Sequence, residues 1–346
     1  MDREPTAVSP AAPAADTRAR SRGRKALAYA IAAACLIWVL YDIHPERFLA
    51  DLRGIRWNWV TLTVVADVLS YVCQGLRWQL LLRPLGVISV REATEAIYVG
   101  LFANEILPLR VGELVRGYLV SRRMSRSLAS VIPSLVVERF FDGVWLAVGI
   151  GVTAILIPLP RKLLEAGDVL GAVLLLAIGI FALAVFRRQR TATTSARSDA
   201  PPWKPLHRFT ALLSRLAEGL RAIGTSRWFF LSFWLSLFFL LLQAAAFWLV
   251  MWGYGIHHSF WVGLAILLIV HLGTAIPNAP ANVGTYQFFC VVGLALFSVE
   301  KTQATGFSVV VFVILTVPLW ALGFWALTRT GTTLARLREE VRGLRI

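Results

Sequence analysis

Charge is what this sequence has least of: 16% of its 346 residues are Asp, Glu, Lys or Arg, against 57% that are apolar. An ordinary water-soluble domain carries about 25% charged residues, so a soluble globule is excluded. Residues 26–41, 228–252 and 307–327 contain no charged residue at all. Each run approaches or exceeds the roughly 20 residues that cross about 30 Å of hydrocarbon, which reads as spanning helices. Cysteine is scarce as well. Cys35, Cys73 and Cys290 lie in apolar stretches with no CxxC or other metal-ligand spacing, which excludes a disulfide framework and a zinc site. No GxxxxGK[ST] phosphate loop occurs, so neither direct use of ATP nor any cofactor or metal is expected.

The charge that is present is mostly positive, with a formal net of +15. In a soluble protein this would suggest nucleic acid. Here the positions favour the positive-inside rule, because basic residues cluster at 18–25, 187–227 and 329–346 and such clusters stay cytoplasmic. The expected organisation is all-α and polytopic. Residues 1–25 form a disordered basic cytoplasmic leader. Residues 26–186 make a first membrane half, with a short outer amphipathic segment at 48–55 and a re-entrant hairpin at 92–126. Residues 187–227 form a cytoplasmic loop with an amphipathic surface helix. Residues 228–328 make a second half with a broken hairpin at 260–298, and 329–346 a basic cytoplasmic tail. About eight spans result, in the cell inner membrane with both termini cytoplasmic; 260–298 either spans twice or re-enters.

Three constellations carry chemistry. In Asn104-x-x-x-Pro108-x-Arg110-x-Gly112-Glu113-x-x-Arg116, Pro108 and Gly112 break a helix at membrane depth, where freed backbone groups are tolerated only beside protein or a wet cavity. A helix starting after the break puts Glu113 and Arg116 on one face, with N-terminal amides that favour an anion such as a phosphate headgroup. The alternative is an Arg-Glu-Arg cluster that pins the hairpin to the interface. In Glu138-Arg139-x-x-Asp142, each charge near the centre of a lone helix costs roughly 2.5–3.5 kcal/mol, so the group should point into the bundle. Either the triplet neutralises itself, or Arg139 also serves Glu113 or a substrate phosphate. Asp67 and Arg77 are cavity residues or interfacial snorkellers.

The third constellation runs from His271 through Pro277, Asn278, Pro280, Asn282 and Gly284 to Tyr286 and Gln287. Pro108-x-x-x-Gly112 and Pro280-x-x-x-Gly284 share a spacing, which hints at an inverted internal repeat with matched interrupted segments around a midplane site. His271, Asn278, Asn282, Tyr286 and Gln287 are cavity candidates, with packing the competing reading for His271.

Together these motifs resemble the lysylphosphatidylglycerol synthase transmembrane family over nearly the whole chain after the leader. The resemblance implies an eight-span, flippase-like domain with re-entrant helices, translocation of a lipid between leaflets, and Asn104, Arg110, Glu113, Arg116, Glu138, Arg139 and Asp142 along the lipid path. The sequence departs from the common pattern at Ala281, where Gly often follows the second Pro, and at Gln287, where many members have Glu. About 20 residues follow the last apolar run, too few for a soluble aminoacyltransferase domain, so lipid aminoacylation is not expected.

The expected function is therefore a transporter moving a phospholipid, hopanoid or polyprenyl-linked lipid with an anionic headgroup, rather than an enzyme. The alternatives are a membrane glycosyltransferase or other lipid-modifying enzyme, with Asp42, Glu46 or Asp51 as its seat, and a non-catalytic scaffold for envelope-lipid enzymes. Envelope-lipid biosynthetic enzymes and a second copy of the chain are the protein partners considered.

Overall fold

The computed structural model describes residues 29–41, 45–107, 111–157, 226–275 and 279–331, with isolated positions besides. The end of the expected first membrane half and the amphipathic helix of the 187–227 loop fall largely outside those segments, as do the leader and most of the tail. Among the described residues every regular element is helical: α1 (Tyr29–Leu40), α2 (Pro45–Arg53), α3 (Trp57–Leu82), α4 (Val90–Ile106), α5 (Gly112–Arg123), α6 (Leu128–Leu156), α7 (Arg227–Gly253), α8 (Phe260–Thr274), a 3-10 turn (Pro280–Asn282), α9 (Thr285–Ala295) and α10 (Lys301–Arg329).

Four of these, α3, α6, α7 and α10, are long and apolar enough to cross a membrane. Their 26 to 29 residues reach about 39–44 Å at 1.5 Å per residue. The arms of the two hairpins are shorter. α4 and α5 have 17 and 12 residues and α8 and α9 have 15 and 11, so each covers only about 16–26 Å, short of about 30 Å of hydrocarbon.

α3 shows why the surroundings must be lipid. Its buried stripe is polar: Thr63, Asp67, Ser70, Gln74 and Arg77 recur at helical spacing. Leu62, Val65, Leu69, Val72 and Leu76 form the exposed stripe. That is the reverse of a helix in water, whose apolar stripe faces inward. The polar stripe is buried among α7, α4 and α6, and α3 runs antiparallel to α7 along its whole length. At one end the Arg56 amide donates to the Gly253 carbonyl at 3.0 Å. At the other, Arg77 donates to Ser236 Oγ at 3.0 Å and Ser232 Oγ donates to the Arg77 carbonyl at 3.3 Å. Small residues on the α7 face, Ser232, Ser236, Ala244 and Ala246, are all buried and let the helices approach closely, as packing in lipid requires.

The order long helix, hairpin, long helix occurs twice. α3 to α6 start at Trp57, Val90, Gly112 and Leu128, and α7 to α10 at Arg227, Phe260, Thr285 and Lys301, a displacement of 170 residues for the first two pairs and 173 for the last two. Packing between halves is reciprocal. α4 meets α10 where Tyr98 and Phe102 abut Gly323, and α8 meets α6 where Leu268 abuts Gly149. α1 and α2 precede the duplicated pattern and lie against the second half: Thr305 Oγ1 donates to the Val39 carbonyl at 3.3 Å, and α2 packs on α10.

Candidate functional site

The first hairpin starts from a capping box. Ser89 Oγ accepts the Glu92 amide at 3.2 Å while Glu92 Oε2 accepts the Ser89 amide at 3.0 Å, a reciprocal arrangement that satisfies two otherwise orphaned donors. These bonds hold the Glu92 carboxyl below its usual range. α4 ends at Ile106, and the chain returns as α5 from Gly112. A Cβ at Gly112 would overlap both the Gly100 carbonyl and the Asn104 side chain, so glycine is what lets the two arms touch. The Gly112 amide donates to Asn104 Oδ1 at 2.7 Å, and a helix-start amide that would be unsatisfied in lipid is thereby capped from the opposite arm. Pro108 and Arg110 lie outside the described residues.

α5 then directs two side chains across to α6. Arg116 Nη1 donates to both Glu138 oxygens, at 3.2 and 3.1 Å. Glu138 is completely buried and is held from α3 as well, by Arg77 Nη2 at 2.7 Å and Gln74 Nε2 at 2.9 Å. Arg77, also completely buried, reaches Asp142 Oδ1 with its other nitrogen at 2.5 Å. Asp142 in turn pairs with Arg139 at 3.2 Å, and Arg139 with Glu113 at 3.0 Å. Three guanidinium groups and three carboxylates thus form one electrically balanced chain across α3, α5 and α6. It runs from the sealed Arg77–Glu138 pair, 0% exposed on both sides, to the Arg139–Glu113 pair at 48% and 29% exposure.

Self-neutralisation of the Glu138–Arg139–Asp142 triplet is therefore not what the structure contains. Glu138 turns away from its neighbour towards Arg77 and Arg116, and only Arg139 and Asp142 pair within α6. Arg77 is the residue the motifs missed. It belongs to no break motif, yet it follows the same rule as Glu138, a charge in a long apolar run that must turn inward.

A recess lies where the chain of charges reaches the hairpin. Gly100, Asn104, Gly112, Glu113, Arg116 and Arg139 are among its lining, and it measures about 10 Å³, the room of about one water molecule. Arg116 is 3% exposed, and its Nη2 has no protein acceptor. The α5 N-terminus faces the same space, so a guanidinium nitrogen without a protein acceptor and the positive end of a helix dipole converge on it.

The second hairpin repeats the architecture without the charges. Gly284 has φ +85° and abuts the Ala32 backbone of α1 so closely that a Cβ would overlap it. Its amide donates to Gln287 Oε1 at 2.7 Å, an amide cap like that of Asn104 but drawn from its own arm. Ala281 and Asn282 also have positive φ, 57° and 52°, and Thr285 Oγ1 donates to the Asn282 carbonyl at 2.9 Å. Pro280 opens the 3-10 turn. Pro277 and Asn278 lie outside the described residues. His271 sits half-buried in the last turn of α8, and Tyr286 packs its ring on Phe312. Among the described residues no group of three His, Cys, Asp or Glu side chains is arranged to hold a metal ion.

One curated relative, glycosyltransferase AglD of Haloferax volcanii, is 34% identical over 113 residues, a stretch that covers 32% of this chain and 18% of that protein. The match therefore takes in less than a fifth of that relative's length. The family model described as the lysylphosphatidylglycerol synthase transmembrane region matches residues 25–323. A helical bundle of long apolar helices interrupted by two broken hairpins, matched over nearly its whole length, makes this chain a member of the lysylphosphatidylglycerol synthase transmembrane family of membrane proteins.

Proposed function

We propose that the protein moves a lipid with an anionic headgroup, a phospholipid, hopanoid or polyprenyl-linked lipid, between membrane leaflets along the face shared by α3, α5 and α6. The observation that carries this reading is Arg116, buried beside the recess with one guanidinium nitrogen uncommitted. A guanidinium held in place by Glu138 keeps its charge in a non-aqueous site and offers it to a headgroup oxygen. The half-exposed Arg139–Glu113 pair forms the mouth: Arg139 can exchange Glu113 for a phosphate without loss of charge balance in the buried part of the chain. A recess with room for one water admits a headgroup only after the hairpin arms part at Gly100 and Gly112. Arg110, at the hairpin tip in sequence, is assigned to the same path.

The topology that goes with this reading has about eight spans, both hairpins re-entrant, both termini cytoplasmic and the cell inner membrane as location. The two halves are inverted repeats, since α3 and its counterpart α7 lie antiparallel and the α4–α10 and α8–α6 contacts correspond. Inverted repeats with broken helices supply two related conformations that open towards opposite sides.

Reconstitution with headgroup-labelled lipids tests this. Wild type should exchange label between leaflets well above empty vesicles, and Arg116→Met should return exchange to the background rate. Background rates for wild type across phospholipid, hopanoid and polyprenyl-linked substrates would end the transport reading. The similarity to AglD favours a second reading, transfer of a lipid-linked sugar, with the acids of the first outer segment as its seat. Asp51 there accepts a hydrogen bond from Tyr254 at 3.2 Å. Turnover of a lipid-linked sugar by purified protein, lost in Asp42→Asn, would put the enzyme first.

A further inference from the structure

A second buried polar cluster lies on the same face of α3, away from the ionic chain. Asp67 is 4% exposed, and its Oδ2 receives no hydrogen bond. Tyr98, on α4, is 6% exposed, and its hydroxyl is likewise without a partner. The Tyr71 and Tyr98 rings lie 5.5 Å apart. Asp67 and Tyr71, four residues apart, share a face of α3, and Asp67 lies within electrostatic range of Tyr98 and of Tyr286 of α9. The cluster thus sits where the first hairpin meets the second, beside the contact between α4 and the 3-10 turn.

Its chemistry is the opposite of that around Glu138. Among the described residues, the other elements packed on this part of α3 bring no Lys or Arg to it. α7 has no ionisable residue after Arg227, α10 has only Lys301 and Arg329 at its two ends, α9 has none that is basic, and the one arginine of α4 is Arg91 in its first turn. Arg77, the one arginine of α3, is engaged by Glu138 and Asp142 and lies about 15 Å further along the helix. A buried carboxylate with an oxygen that no donor satisfies and no cation beside it is strongly unfavourable and is neutralised by taking up a positive species. An uncommitted carboxylate oxygen and an uncommitted phenolic hydroxyl on neighbouring helices, with no nitrogen or sulfur ligand cluster among the described residues, suit a hard, singly charged species rather than a transition metal.

We propose that Asp67 and Tyr98, with Tyr71 and Tyr286 around them, bind a small monovalent cation, a proton or a sodium ion, whose gradient drives the transport proposed above. This rests on the transport reading for its purpose but not for the binding itself. Asp67, Ser70, Gln74 and Arg77 occupy one stripe of α3, and Gln74 both lines the recess and donates to Glu138. Occupancy at Asp67 therefore bears on the helix face that the headgroup path uses.

The test uses the full-length purified protein and two readouts. The first is binding without lipid transport. Thermal unfolding in detergent is compared in sodium chloride and choline chloride at equal ionic strength, and infrared difference spectra are recorded for the carbonyl stretch of a protonated carboxylic acid. If sodium is the ligand, wild type is stabilised by sodium over choline, Asp67→Asn is not, and Tyr98→Phe needs about tenfold more sodium, the worth of roughly one hydrogen bond. If a proton is the ligand, the carboxylic acid band is present in wild type, insensitive to sodium and absent in Asp67→Asn, and Tyr98→Phe shifts its frequency. The second readout is lipid exchange in vesicles with an imposed pH or sodium gradient, which should accelerate wild type and leave Asp67→Asn unaffected. Absence of both binding signals, or identical signals in wild type and Asp67→Asn, overturns the site even if lipid exchange proceeds. Binding signals in a protein that exchanges no lipid leave the site standing and remove the transport reading. Tyr98→Phe, which removes one oxygen and keeps the ring, decides the matter if Asp67→Asn fails to fold.

Discussion

The two halves of the molecule follow one chain path and fill it with opposite chemistry. Arg77 is the twenty-first residue of α3 and Phe247 the twenty-first of α7; Glu138 is the eleventh of α6 and Val311 the eleventh of α10. All four are completely buried. Where the first half joins its helices through Arg77, Glu138 and Arg116, the second packs Phe247 on Phe307, with ring centroids 5.4 Å apart, around Val311. A helix–hairpin–helix unit therefore needs no ions to form. The charges of the first half are an addition to a fold that apolar packing already supports, and a buried ionic network gives little net stability over well-packed apolar residues. Their retention points to function.

The largest effect expected is at Glu138. Glu138→Gln leaves Arg77 and Arg116 buried beside a neutral side chain and should cost about 3–5 kcal/mol, against on the order of 2 kcal/mol for Val311→Ala, both by unfolding in mild detergent. Making the first half resemble the second is the sharper experiment. In Arg116→Met/Glu138→Leu, Arg77 keeps Asp142 and Arg139 keeps Glu113, so stability should recover to within about 2 kcal/mol of wild type while lipid exchange stays at background. A double variant as unstable as Glu138→Gln would mean that the ions hold the first half together.

Next comes the hairpin cap. Asn104→Leu orphans the Gly112 amide and should cost about 1–3 kcal/mol, and Gln287→Leu should do the same to Gly284. Hydrogen exchange at the two glycine amides would show whether the caps are equivalent or whether α1, resting on Gly284, protects the second one alone. Ser89→Ala should cost about 1 kcal/mol by removing the box that starts α4. The Glu92 carboxyl is held below its usual range, so its contribution is complete at and above ordinary carboxylate pH. It is lost as the pH falls through the lowered folded value, and Glu92→Gln should remove that acid-side decline from a melting profile. The smallest stability change belongs to Arg139→Gln, at most about 1 kcal/mol for a pair so exposed, although its exchange rate should fall at least as far as that of the double variant. A large drop in melting temperature with unchanged exchange would make Arg139 a structural tie.

Much of this was legible in the sequence. The bounds of α7 lie within a residue of the uncharged run at 228–252, and α10 encloses the one at 307–327, because composition alone decides what a bilayer accepts. The hairpin at 92–126 was legible too, because Pro108 and Gly112 interrupt a segment edged by arginines. Legibility failed where meaning depends on facing. Asp67 and Arg77 look alike as isolated charges in α3, yet one has two carboxylate partners and the other has no hydrogen bond at Oδ2. The inward polar stripe of Thr63, Asp67, Ser70, Gln74 and Arg77 is a periodic signal that marks both as interior, but it does not say which helix lies opposite.

Solvent preference is a property of each segment, and so the sequence by itself determined that the chain is an all-helical, polytopic membrane protein. Partner choice is a property of pairs distant in the chain. Only the tertiary structure decided that Glu138 belongs to Arg77 and Arg116 rather than to adjacent Arg139, and that Asp67 faces phenols rather than arginines, because Coulombic attraction and hydrogen bonding act over ångströms of space and take no account of sequence separation.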